Sequence, residues 1–325
     1  MSTERVRVGV VGASGYSGTL AARILARHPR FELAFATSDL RRGRPLAHLG
    51  IRGAGVLVAN GEACDRASDC GAVVLATPPE VSQKLAPELR RRHSAVVVCD
   101  LSNAFRLGDE AHYGLPELFG RPVSMLVANP GCYPTATLCL LAPLVASGLV
   151  EPEIAVDAKS GTTGAGRQAK EEHSFAEVDE NLRAYKIHNH QHEPEIAAHL
   201  ARRGGTGVEI TFVPHLLPVR RGILITAYAR LRAGIPAAAP EEALRAFYKD
   251  SRFVRVVAPH EVSLAEVVGT NDVAVAVSVR GRSVVGLASI DNLLKGASGQ
   301  AVQNLNLAFG LAEDAGLDHL ERSAP

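Results

Sequence analysis

Over roughly the first 100 positions, apolar residues come in short runs separated by stretches of helical period: Arg7 to Val11, a glycine-rich turn, Thr19 to Arg27, Phe31 to Ala36, Ala72 to Ala76 and Ala95 to Cys99. This βαβ rhythm predicts a parallel sheet with helices on both faces. Beyond about residue 150 the runs lengthen and alternate, at Ile154 to Ala158, Val208 to Val213, Ile223 to Arg232, Val254 to Val257, Val273 to Arg280 and Ser283 to Asp291. Short loops join several of them, as antiparallel strands allow, so a second domain on a mixed or antiparallel sheet is expected. Helical period returns over Ala297 to Glu313, with Ala301, Leu305, Ala308 and Leu311 on one side. Arg232 to Pro240 reads as a loop ahead of a helix at Glu241 to Tyr248, with Pro240 just before its first turn.

Composition narrows the function classes. A chain of 325 residues with 46% hydrophobic and 21% charged residues is globular, not disordered, and is long enough for two domains. The 35 Lys and Arg against 34 Asp and Glu leave a net charge of +1, so no overall positive field exists to hold nucleic acid or an anionic membrane. Small ligands are expected. The start of the chain carries two arginines and then an apolar run that breaks at Gly12, which suits a first strand better than a signal peptide and leads us to expect a cytoplasmic protein. Five cysteines, Cys64, Cys70, Cys99, Cys132 and Cys139, are odd in number and form no CxxC pair, which argues against a disulfide framework and a structural zinc site.

Gly12, Gly15 and Gly18 lie where the first strand hands over to a helix, in Gly-Ala-Ser-Gly-Tyr-Ser-Gly. Glycines there let the backbone approach a pyrophosphate, and the amides and dipole of the helix start bind it. A purely structural tight turn is the alternative. The end of the second strand selects the nucleotide, since an acid there bonds ribose hydroxyls and small or basic residues admit a ribose phosphate. Ser38, Arg41 and Arg42 favour NADP, while Asp39 favours NAD, and the arginines also read as solvated loop charges.

Cys132 stands in Asn129-Pro130-Gly131-Cys132-Tyr133-Pro134-Thr135, ahead of a helical run from Ala136 to Ala146. A helix N-terminus stabilises a thiolate and offers amides to an oxyanion, which makes Cys132 the candidate nucleophile. Cys99 and Cys139 read as core residues. A base is expected among His188, His190 and His192. No Cys or acid cluster at ligand spacing completes a metal site around them, so no metal is expected. His192 is the first choice for acid/base, His190 the second. Glu195, just past Pro194, is expected to start a helix, either orienting an imidazole or serving as an N-terminal-turn acid.

Taken together, these segments resemble the N-acetyl-gamma-glutamyl-phosphate reductase family, NADP-dependent enzymes of arginine biosynthesis. The likeness runs nearly end to end. Besides the two motifs above it rests on Asp100-Leu101-Ser102 with Phe105-Arg106-Leu107, Tyr113 to Glu117, Asp157 to Gly161, Gly164 to Arg167, His190-Gln191-His192 before Pro194-Glu195-Ile196, Pro214-His215-Leu216 with Arg221-Gly222, and Asp291-Asn292-Leu293 with Lys295-Gly296. Asn103, Thr162-Thr163 and Gln191 depart from the family pattern inside intact frames.

The resemblance implies an α/β protein: a Rossmann-type NADP-binding domain at 1–131 plus 297–325, and an α+β catalytic and oligomerisation domain at 132–296. It also implies thioester chemistry on Cys132, an anionic acyl-phosphate substrate and a homotetramer. The cofactor site would comprise Gly12, Ser14, Gly15, Tyr16, Ser17, Gly18, Ser38, Arg41, Thr77, Pro78, Asn292 and Lys295. Arg106, Asn129, Ser160, Gly161, Arg167 and Arg221 would bind substrate, with the arginines on its anionic groups.

Overall fold

The computed structural model describes residues 5–52, 55–167, 171, 174–204 and 207–318, so residues 1–4 and 319–325 of the expected first domain lie outside the described residues. The chain divides into two compact units, Met1–Gly131 with Ala297–Pro325, and Cys132–Gly296.

In the first unit six strands form one sheet: β1 (Val6–Val11), β2 (Phe31–Ala36), β3 (Ala72–Leu75), β4 (Val97–Asp100), β5 (His112–Tyr113) and β6 (Leu126–Ala128). Their order is β2-β1-β3-β4-β6-β5, with every pairing parallel. The central strands are buried on both faces, which is why they read as unbroken apolar runs rather than alternating ones. Val11, Val73, Leu75 and Val98 share a core with Ala86 and Leu89 of α2 (Pro79–Arg92). Helix α1 (Tyr16–Arg27) packs on β1 and β2 and against the terminal helix Gly299–Ala308. Because β2 and β3 flank β1 on opposite sides, the Gly12–Gly18 loop lies at the point where strand order reverses, the usual ligand crevice of open parallel sheets.

The second unit holds a seven-stranded mixed sheet. Its strands are β7 (Glu153–Gly161), β8 (Arg183–Ala184), β9 (Glu209–Leu217), β10 (Ile223–Arg230), β11 (Val254–Val256), β12 (Val273–Arg280) and β13 (Ser283–Ile290), in the order β11-β12-β13-β10-β7-β9-β8. Helix α3 (Cys132–Ala146) crosses one face and is apolar all round, because α4 (His192–Arg202) and α5 (Ala239–Phe247) cover its back. The Tyr248 hydroxyl donates to the Cys139 carbonyl at 2.6 Å from just beyond α5. The opposite sheet face carries Asp157, Lys159, His215 and Thr226, with Lys159 Nζ 2.8 Å from Asp157 Oδ2 and His215 Nδ1 3.0 Å from Asp157 Oδ1.

Several boundaries differ from the sequence reading. Strands β7 and β9 each run nine residues, so the Ser160-Gly161 and Pro214-Leu216 segments are strand. Strand β10 stops at Arg230. Helix α4 starts at His192, with Pro194 and Glu195 already inside, and α5 starts at Ala239 with Pro240 in its first turn. The terminal helix is regular only over Gly299–Ala308, after a wider turn at Leu294–Ser298. Gly310 ends it in the left-handed region (φ 68°), with the Gly310 and Leu311 amides bonding back to Leu307 and Asn306, so the apolar period past that point is not helix.

Candidate active site

Among the cysteines, Cys64, Cys70, Cys99 and Cys139 are buried and Cys132 is half-buried. Burial raises the Cys64 thiol, pushes Cys70 up to about 11 and raises Cys99 well beyond the thiol range. Cys132 differs by position, as the first residue of α3, where first-turn amides lack intrahelical partners. Gly296 closes against it. A Cβ at Gly296 would stand 2.7 Å from Cys132 Cβ and 3.3 Å from the Asp291 carbonyl, so only glycine lets the chain pass there.

Beside the start of α3 lies an aromatic cluster. The Tyr133 ring meets His190 and His192 edge-on at 5.7 and 5.8 Å between centroids, His190 and His192 are 4.7 Å apart, and Tyr185 adds an edge contact to His190 at 5.6 Å. The Tyr133 and Tyr185 hydroxyls are 3.2 Å apart. Burial pushes Tyr185 up to about 12. His188, by contrast, is exposed and has a positive φ of 56°, outside the cluster.

The His192 backbone amide donates to His190 Nδ1 at 3.2 Å. With its Nδ1 lone pair engaged, the neutral ring carries its proton on Nε2. Burial, reinforced by the Lys186 charge, pulls His190 down to about 4, so it is neutral near pH 7. Glu195, one turn past His192, is buried. Among the described residues no cluster of His, Cys, Asp or Glu could hold a metal ion.

His190 also lines a cavity of about 490 Å³, within the usual range for small-molecule sites. Ser160, Gly161 and Gly164 line it as well, and so do Arg183, Tyr185 and Lys186, which the sequence reading did not single out. Arg167 is half-buried at the edge of a segment outside the described residues.

Behind this loop region Arg221 is 5% exposed, its Nη2 lying 2.7 Å from Asp291 Oδ2. Its Nε and Nη1 have no hydrogen-bond partner among the described residues. Asp291 also accepts the amides of Gly269, Leu293 and Leu294 at 2.8, 2.8 and 3.1 Å. Asn292 ties two loops together, accepting the Gly222 amide at 2.7 Å and donating to the Thr163 hydroxyl at 3.0 Å. Lys295 is buried, with its ammonium 5.3 Å above the Phe253 ring.

In the first unit the glycine loop has the shape a dinucleotide requires. Gly12 has φ 82°, and a Cβ there would stand 2.4 Å from the Ala76 carbonyl, while one on Gly18 would stand 2.3 Å from the Gly12 carbonyl. Gly15 caps α1 without a side-chain hydrogen bond, at a helix N-terminus of the kind that binds anions. The Ser17 carbonyl accepts the Ser298 hydroxyl at 2.8 Å.

Ser38 donates to Ser14 at 2.8 Å and accepts the Arg41 amide at 3.1 Å. Asp39 spends both carboxylate oxygens on Asn60, at 2.8 and 2.9 Å. Thr77 shares a hydrogen bond with Ser82 at 2.9 Å, and Pro78 caps α2. Arg106 is buried and donates to the Asn129 and Leu101 carbonyls at 2.8 Å each, and Asn129 donates to the Ala297 carbonyl at 3.2 Å.

Residues 7–125 match the family model described as semialdehyde dehydrogenase, NAD binding domain, and residues 132–292 match that described as semialdehyde dehydrogenase, dimerisation domain. The N-acetyl-gamma-glutamyl-phosphate reductase of Desulforamulus reducens is 38% identical over 96% of this chain and 98% of its own. That of Rhodospirillum rubrum is 42% identical over 97% and 98%. In fold, aspartate semialdehyde dehydrogenase II of Vibrio cholerae superposes with a TM-score of 0.76 at 19% identity, covering 94% of this chain and 99% of that one. The two matched domains and the near full-length identity place the chain in the N-acetyl-gamma-glutamyl-phosphate reductase family of semialdehyde dehydrogenases.

Proposed function

We propose that this chain reduces N-acetyl-gamma-glutamyl phosphate to N-acetylglutamate 5-semialdehyde and phosphate, with NADPH as reductant, a step of arginine biosynthesis. The substrate follows from the shared activity of full-length relatives. The chemistry is carried by one observation: the half-buried cysteine opens α3 beside a histidine-lined cavity.

The Cys132 thiolate attacks the acyl carbon, the bond from carbon to the phosphate oxygen breaks, and a thioester remains. When bound, the nicotinamide supplies the hydride. The reduced carbon then carries an oxyanion, which the first-turn amides of α3 and the Nε2–H of His190 stabilise. Collapse of this thiohemiacetal expels the thiolate and leaves the aldehyde. His192, oriented by Glu195, takes the thiol proton before attack and passes it to the departing phosphate, so that the base is neutral again when the thiolate is released. Because His190 stays neutral, it serves as donor rather than base. In the second unit Arg221, with Nε and Nη1 lacking partners among the described residues, is assigned to a substrate anion together with Arg167, with Ser160 and Gly161 also assigned to substrate.

The first unit is assigned to dinucleotide binding, through the Gly12–Gly18 loop with Ser14, Ser38, Arg41, Thr77 and Pro78. Asp39 is engaged by Asn60, which supports the choice of NADP over NAD. The second unit is assigned to catalysis and to assembly into a homotetramer. Its half-exposed sheet face around Asp157, Lys159 and Tyr228 supports a like partner. No described helix is long and apolar enough to cross a membrane, and we assign the enzyme to the cytoplasm.

The test is NADPH formation from N-acetylglutamate semialdehyde, NADP and inorganic phosphate. Activity that requires phosphate supports the reading. A folded, NADP-binding protein inactive with this aldehyde overturns it.

A further inference from the structure

At the end of β2 an unbroken line of hydrogen bonds leads from the glycine loop to Asp39. Thr37, fully buried, accepts the Gly12 amide on its hydroxyl oxygen at 3.2 Å and donates its hydroxyl proton to Asn60 Oδ1. At the other end of the same side chain, Asn60 Nδ2 donates to Asp39 Oδ2 at 2.9 Å, while the Asn60 backbone amide donates to Asp39 Oδ1 at 2.8 Å. Every donor in the line points the same way, which fixes the amide: turned over, it would set an oxygen against the Asp39 carboxylate and an NH2 group against the Thr37 hydroxyl. The main chain holds Asn60 in place. Thr37 and Val58 form a parallel bridge, the Ser38 amide donates to the Val58 carbonyl at 2.8 Å and the Val58 amide to the Ala36 carbonyl at 3.1 Å, so the segment that carries Asn60 is fastened along the end of β2. Glu62, the other acid of this segment, is also engaged, with Oε1 accepting the Ala59 amide at 3.2 Å and Oε2 accepting Arg66 Nη2 at 3.0 Å.

An acid at the end of the second strand is the group that bonds the ribose hydroxyls of NAD and opposes the ribose phosphate of NADP. Resting on the nucleotide binding proposed above, we propose that Asn60 sets the nucleotide preference, as a positioning residue that acts through Asp39. By engaging both oxygens of Asp39, it withholds the acid from the ribose hydroxyls and leaves that place to a ribose phosphate. Without the Asn60 side chain, Asp39 Oδ2 loses its donor and turns to the ribose hydroxyls, where its charge also opposes a phosphate.

The test places Asn60→Ala in two backgrounds, wild type and Asp39→Asn, and reads kcat/KM with NADP and with NAD. Losing this charge-assisted hydrogen bond lowers the ratio of NADP to NAD kcat/KM about 10- to 100-fold in the wild-type background, through KM for the nucleotide more than through kcat. In the Asp39→Asn background the same substitution moves the ratio by less than about 3-fold, because the acid it acts through is gone. Asn60→Asp keeps an acceptor for Thr37 but sets a second carboxylate against the first, and lowers the ratio at least as far. Combined with Asp39→Asn, it rebuilds the hydrogen bond with donor and acceptor exchanged, and preference for NADP returns. A fall of equal size in both backgrounds, or no fall in wild type, overturns the proposal.

Calorimetric binding of adenosine 2′,5′-bisphosphate and of 5′-AMP, which carry the two ribose forms without the nicotinamide, separates the selector from the activity. A wild type that turns over no N-acetylated aldehyde yet prefers the bisphosphate, with the preference lost in Asn60→Ala and kept in Asn60→Ala with Asp39→Asn, sinks the activity and keeps the selector. A wild type that binds the two ligands alike sinks the selector, whatever its activity.

Discussion

Replacing His190 with glutamine removes a buried ring that the fold keeps uncharged. Burial, with the Lys186 charge added, pulls its pKa down to about 4, against about 6.5 in an unfolded chain. The folded state therefore resists a proton that the unfolded state accepts. Stability linked to this ring is intact above about pH 6.5 and is lost progressively as pH falls from there towards about 4. For these two values, wild type loses about 2 kcal/mol relative to the variant by pH 5 and about 3 kcal/mol by pH 4. At roughly 2–4 °C per kcal/mol for a unit of this size, the melting-temperature difference between wild type and His190→Gln shifts by about 4–8 °C between neutral pH and pH 5, in favour of the variant. Paired thermal melts across that range measure it. His28 and His112, which burial also lowers, are present in both proteins and cancel. A difference that stays constant with pH refutes the reasoning, since it would mean that the ring is protonated alike in both states.

Asp291→Asn leaves the buried Arg221 guanidinium without its counter-charge and turns an amide toward the Gly269 N–H, so unfolding stability falls by about 3–5 kcal/mol; thermal melting reads this, and an unchanged melt contradicts the pair. Gly296→Ala forces a methyl against Cys132 Cβ, at a cost of about 1–3 kcal/mol from overpacking, and lowers kcat about 100-fold by displacing the nucleophile, as steady-state rates would register. Because Asn60 already holds its carboxylate, Asp39→Asn leaves the ratio of NADP to NAD kcat/KM within about 3-fold, whereas Arg41→Ala lowers that ratio about 10-fold by removing a cation from the ribose phosphate.

Some of this architecture is written in residue types. The Gly12–Gly18 loop is legible because its backbone geometry admits no Cβ at two positions, and that demand appears directly as glycine. The parallel sheet is legible because strands buried on both faces must be apolar throughout. The terminal helix shows the limit of periodicity: Ala301, Leu305, Ala308 and Leu311 keep the period, yet left-handed Gly310 stops the helix before Leu311. Nothing in an arginine's identity says where its donors go, and Arg106 spends two of them on main-chain carbonyls that only the folded loop brings within reach. Arg183, Tyr185 and Lys186 escape sequence reading because they depend on a two-residue strand at a sheet edge, too short to leave a period. Glycine at 296 had a signal, a Lys-Gly pair just before the terminal helix, but its reason is a contact with Cys132 across 164 positions of chain (296 less 132).

The central claim is that a covalent thioester forms on Cys132. Intact-protein and peptide mass spectrometry after mixing the enzyme with N-acetyl-gamma-glutamyl phosphate, with no NADPH present, tests it most directly. The account predicts a single N-acetylglutamyl adduct on the peptide bearing Cys132, discharged as aldehyde when NADPH is added and absent from Cys132→Ser. Full reduction of the acyl phosphate by Cys132→Ser, or an adduct confined to another residue, would contradict it.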